Sequence, residues 1–120
     1  MRNWLKYLFL FWVLIFSAGF AMAQSCTHKL ELYDLYGDGW QGASVDLEIN
    51  GAVIINDATF ADIAADAYGA SKIIEFQAQT GDNISLDDWV SGLFDDEVVW
   101  AIKDGNGNVI AYGEYGDGLS

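Results

Sequence analysis

The chain has 120 residues, with eighteen Asp and Glu against five Lys and Arg, no proline and one cysteine. A chain this acidic repels phosphate backbones, which excludes nucleic acid as a natural partner and favours cations. One cysteine excludes an internally stapled core, and the length limits the fold to one domain with a single modest core.

Arg2 and Lys6 open the chain, Tyr7 to Phe16 is an unbroken apolar run, and Ala21-Met22-Ala23 follows as a small-x-small site. In that order they read as a secretory leader over 1–23, cleaved so that the mature chain starts at Gln24. The apolar run is short for a membrane span of about 20 residues. Ala23-Gln24-Ser25 ahead of Cys26 is a poor lipid-attachment signal. The expectation is therefore a secreted protein, extracellular or at the cell surface, with no membrane association after cleavage. Residues 24–120 form the module, and there Lys29, Lys72 and Lys103 face all eighteen carboxylates.

Thr27 to Tyr33 alternates, with Leu30 and Leu32 on one face, and predicts a first strand. Asp34 to Gly42 interrupts it with three glycines in Gly37, Gly39 and Gly42, two carboxylates in Asp34 and Asp38, and the aromatics Tyr36 and Trp40. Such a loop turns sharply and folds back on its anchor, Trp40. Ser44 to Ile49 is the cleanest strand, with Val45, Leu47 and Ile49 on one face. Asn50-Gly51 is a type I′ hairpin signal, and Ala52 to Ile55 returns from it. Asp57 to Ala70 places Phe60, Ile63, Ala64 and Ala67 at helical spacing, but Gly69 and scattered aspartates favour a surface loop.

Lys72 to Ala78 is a strand with Ile74 and Phe76 inward, and Thr80 to Asn83 is a turn. Ile84 to Trp89 is a strand with Ile84 and Leu86 on one face. Val90 to Asp96 is a second acidic loop. Glu97 to Lys103 aligns Val98, Trp100 and Ile102. Asp104-Gly105-Asn106-Gly107 turns the chain into a last strand, Asn108 to Tyr112. Seven short strands between turn signals predict an all-β antiparallel sandwich. Leu32, Val45, Leu47, Ile49, Ile74, Phe76, Trp100 and Ile102 are its expected core.

The motif Asp34-x-Tyr36-Gly37-Asp38-Gly39-Trp40-x-Gly42 closely follows a cysteine-led strand. Together with Asn50-Gly51 and the stretch Glu97 to Gly107, it resembles the acidic CUB-like (jelly-roll) β-sandwich modules found in secreted multidomain proteins of Bacteroidetes-type bacteria. The likeness covers nearly all of Cys26 to Tyr112 and implies a fold and an extracellular setting, not a reaction. Members that bind calcium hold it with acidic residues from loops at one end, which here implies Asp34, Asp38 and Glu97. A cysteine at this position commonly pairs with one beyond the last strand in such modules. The expectation for Cys26 is an intermolecular disulfide, or a module truncated at its C-terminus.

Ca²⁺ takes six to eight oxygens from carboxylates, amides and carbonyls. The first loop offers Asp34 and Asp38, and the second offers Asp95 and Glu97 as further metal ligands. An EF-hand does not fit, because counting from Asp34 puts Tyr36 and Val45 where carboxylates belong. The alternative is a tight turn in which both aspartates accept backbone N–H groups, and the two readings stay open at this point. Asp104 to Asn108 reads as a hairpin turn.

Trp40, Trp89 and Tyr36 are candidate stacking faces for a ligand; the opposing reading has both tryptophans sealing the sandwich. Cys26 and His28 share a strand face but lack an orienting third residue, so no catalytic residue is assigned. The expected function is a secreted, non-enzymatic adhesion or ligand-binding module, calcium-dependent through its acidic glycine-rich loops. Its expected partner is an extracellular protein or carbohydrate surface. An accessory or truncated piece of a secreted protease or glycosidase is the alternative.

Overall fold

A computed structural model of the chain describes residues 24–61 and 70–118. The leader assigned to 1–23 and part of the Asp57–Ala70 segment lie outside the described residues. Seven strands run in order: β1 (Ser25–Asp34), β2 (Ser44–Ile49), β3 (Ala52–Ala58), β4 (Ala70–Gln79), β5 (Ile84–Val90), β6 (Val98–Lys103) and β7 (Val109–Glu114). They form two antiparallel sheets, ordered β4-β1-β6-β7 and β3-β2-β5. Among the described residues no helix is long and apolar enough to cross a membrane.

Alternation builds the core. Leu30 and Leu32 of β1, Val45, Leu47 and Ile49 of β2, Phe76 and Ala78 of β4, Leu86 of β5, and Val98, Trp100 and Ile102 of β6 point between the sheets and are buried. Ile74 is partly buried against them, so the residues expected in the core are all there. At roughly 1.5–3 kcal/mol for each fully buried large apolar side chain, this cluster is the main favourable term in folding.

The turns follow their local chemistry. Asn50 and Gly51 both take positive φ, the type I′ geometry that matches the twist of β2 and β3. Asn50 then ties this hairpin to the β4–β5 turn: its N–H donates to the Asn83 carbonyl at 2.8 Å, and Asn83 N–H donates to its Oδ1 at 2.9 Å.

Register shifts interrupt the β2–β3, β2–β5 and β6–β7 pairings, and two of them hold an aspartate at positive φ. Asp57 sits at positive φ in β3, its N–H donating to Oδ1 of the buried Asp46 at 2.7 Å. Asp88 sits at positive φ in β5, where three steps of β5 oppose two of β2. Strict alternation would send Trp89 to the solvent side with Ser85 and Asp87. The extra residue swings it inward instead, against the core.

Candidate functional site

β1 ends at Asp34 and β6 begins at Val98, and the two are hydrogen-bonded neighbours with Asp34 opposite Val98. That pairing brings the loop after β1 beside the short 3₁₀ turn Asp95–Glu97 that precedes β6. The carboxylates of Asp34, Asp38 and Glu97 converge there, each offering an oxygen within 4.8 Å of the others. Among the described residues no other trio of His, Cys, Asp or Glu meets in this way.

The three acids are held differently. Asp34 is fully buried and caps its own loop: Tyr36 N–H donates to Oδ1 at 3.1 Å, and Gly39 N–H donates to Oδ2. Gly39 has a positive φ of 85°, so its amide reaches the carboxylate through a backbone form that side chains disfavour. Asp38 contributes to the turn only through its main-chain carbonyl, which accepts Gln41 Nε2 at 2.7 Å. Its Oδ1 is buried and accepts no hydrogen bond, and the same holds for Glu97 Oε2. Glu97 is 8% exposed. Burial first, then repulsion from Asp38, Asp34 and Asp96, pushes its carboxyl above the ordinary value of 4.5.

Of the two loop readings, the capped turn accounts for Asp34 alone. A buried acceptor without a donor is costly, and here two such oxygens face a third carboxylate. One cation would answer all three. Two oxygens bound to the same Ca²⁺ at about 2.4 Å lie no more than about 5 Å apart, which the observed spacing satisfies. Asp95 stands outside this group. It caps the second loop, accepting Ser91 Oγ at 2.6 Å and Gly92 N–H at 2.8 Å. Of the three acids in the 3₁₀ turn, Glu97 is thus sent inward and Asp95 is kept for local bonding.

The loops are locked together by contacts outside the acids. Leu93 N–H donates to the Gln41 carbonyl at 3.1 Å. A Cβ at Gly92 would lie 2.5 Å from Ala43 N and 2.7 Å from the Gln41 carbonyl oxygen, so only glycine allows this approach. Gly92 went unrecognised in the sequence, where the Ser91-Gly92 pair signals only a turn.

Trp40 is 1% exposed, its Nε1 donating to the Tyr33 carbonyl at 2.8 Å. It therefore offers no stacking face, contrary to its assignment as a ligand contact; it is the loop's anchor. Trp89 is half-buried between Trp40, at 6.4 Å between ring centroids, and Tyr115, at 5.1 Å. Tyr36 is 68% exposed. Cys26 is an exposed thiol at the start of β1, roughly 26 Å of strand away from Asp34. It lines an open cavity of about 510 Å³ with His28, Asp104 and Gly105. His28 Nδ1 faces the Cys26 carbonyl at 3.1 Å and its ring packs on Phe76.

Comparison with protein families, curated proteins and solved structures found no match for this chain.

Proposed function

We propose that this chain is a secreted, non-enzymatic, CUB-like β-sandwich module for extracellular adhesion or ligand binding, with Ca²⁺ ordering its acidic end. Asp34, Asp38 and Glu97 are the protein ligands, and Asp95 shapes the loop beside them. The observation that carries the reading is the pair of buried, unpartnered oxygens, Asp38 Oδ1 and Glu97 Oε2, converging with Asp34. The resemblance of the Asp34–Gly42 motif supports the same end of the sandwich as the cation site.

The test is thermal unfolding with and without Ca²⁺. An ion that binds only the folded state adds about 2.7 kcal/mol at a hundredfold excess over Kd. For a domain of this size that is a rise of roughly ten degrees or more in Tm, at about 4–8 °C per kcal/mol. Asp38→Asn is expected to remove most of the rise, and Asp87→Asn, at an exposed strand position, to leave it intact. Equal stabilisation by NaCl, or indistinguishable mutants, would reduce the effect to charge screening and end the calcium reading.

A further inference from the structure

The outer face of the β4-β1-β6-β7 sheet is unlike the rest of the molecule. With Leu30, Leu32, Trp100 and Ile102 turned to the core, the alternate residues face away from it. The strand registers arrange them in rows. One row runs Ile73, Glu31, Ala101, Tyr112, and the next runs Glu75, Lys29, Lys103, Val109. Tyr112 is 79% exposed, more than any other large apolar or aromatic side chain among the described residues, and Ile73 stands half-exposed at the opposite margin. Between them the floor is low, since Glu31 and Ala101 are buried although they point outward.

That floor is polar and fixed. Lys103 Nζ donates to Glu31 Oε1 at 3.0 Å, and Tyr33 Oη donates to Glu31 Oε2. Two of the module's three lysines, Lys29 and Lys103, stand directly opposite each other here, an arrangement that costs stability unless acids flank it. Glu31 and Glu75 do flank it, so these two rows balance in charge. Elsewhere carboxylates far outnumber lysines.

We infer that this face is a binding platform for an uncharged polysaccharide, with Tyr112 as the stacking ring and Lys29 and Lys103 as hydrogen-bonding groups for sugar hydroxyls. The electron-rich face of a tyrosine ring attracts the C–H face of a pyranose. A charge-balanced strip suits a neutral chain, while the acidic remainder repels polyanions. Net charge weighs against a second protein copy as the occupant, since two chains this acidic repel each other. Four strands about 4.8 Å apart and seven residues at about 3.3 Å each make a flat footprint of roughly 400 Å², about 23 Å along the strands. An extended chain of a few sugars fits the length.

The inference rests on the ligand-binding reading above but not on its cation. The test is affinity electrophoresis of the full chain in gels containing soluble β-glucan, xylan, galactomannan or starch, with alginate as the anionic comparison, and pull-down on cellulose and chitin. At least one neutral glycan is expected to retain the protein. Tyr112→Ala is expected to weaken retention roughly tenfold or more with Tm unchanged, while Val53→Ala, at an exposed position of the other sheet, leaves it intact. No retention by any of these neutral glycans overturns the platform and leaves the calcium test to decide the proposed function. Retention lost with Tyr36→Ala or EDTA but kept in Tyr112→Ala moves the ligand to the acidic loops and also overturns it. So does a dimer in sedimentation that Tyr112→Ala dissociates, because the face would then join two copies.

Discussion

Two glycine-rich acidic turns of this chain have similar compositions and opposite physics. In the β6–β7 turn, Asp104 Oδ1 accepts the N–H groups of Asn106 at 2.9 Å and Asn108 at 3.0 Å, and the Asn108 side chain lies 3.5 Å from Oδ2. The Asn108 N–H, and after it the Asn106 N–H, hold this carboxyl below its ordinary value of 3.8. At the end of β1, three carboxylates share the two amides that Asp34 takes, and Glu97 is held above its ordinary value. The ratio of carboxylates to donors separates a self-sufficient turn from one that calls for a cation.

The largest test of this contrast removes the support under the acidic loop. Trp40→Ala deletes a buried indole, which costs about 3–5 kcal/mol, and releases the backbone between the carboxylates. Urea unfolding is expected to show that loss, together with loss of the Ca²⁺-induced rise in Tm. A full Ca²⁺ response in this variant would mean that the carboxylates do not depend on their anchor.

Glu97→Gln sharpens the contrast through its sign. Without divalent ions it removes one charge from a crowded trio and is expected to raise Tm. With saturating Ca²⁺ it removes a ligand and is expected to lower Tm relative to the parent chain. A change of the same sign under both conditions would break the cation assignment.

Proton linkage distinguishes the two turns next. The folded state holds the Glu97 proton more tightly than the unfolded chain, so its stabilising effect is full below about 4.5 and is lost as pH rises through the higher folded value. Asp104 behaves in the opposite sense: its contribution is present above about 3.8 and is lost as pH falls through the lower folded value. Unfolding free energies measured across acid pH in EDTA are expected to lose the upper slope in Glu97→Gln and the lower slope in Asp104→Asn. The smallest effect is expected from Asp104→Asn at neutral pH, since its turn is solvent-facing and the main-chain bond from Asp104 N–H to the Asn108 carbonyl remains. A large loss of stability there would show that the turn is not self-sufficient.

Much of the architecture was legible in the chain. Val45, Leu47 and Ile49 alternate with Ser44, Asp46 and Glu48, and a half-buried strand is the one structure that uses that period. Asn50-Gly51 names its turn because few residue pairs accept two positive φ angles. Trp89 was less readable: its inward turn depends on one extra residue in β5, and a bulge depends on what the neighbouring strand does. The candidate site divides similarly. Asp34 and Asp38 stand out in the motif, and Glu97 and Asp95 are equivalent by composition.

By itself, then, the sequence determined the all-β class, the strand positions, the hairpin turn and the acidic balance, because alternation, turn chemistry and charge are local properties. Which acids meet was decided by the tertiary structure. β1 and β6 lie far apart in the chain and become neighbours only when the sheet closes, which sets Glu97 against Asp34 and Asp38 and leaves Asp95 to cap its own loop. The same closure buried Trp40 beneath the loop it belongs to and set Lys103 against Glu31. Such contacts depend on the register between distant strands, and no local pattern carries that information.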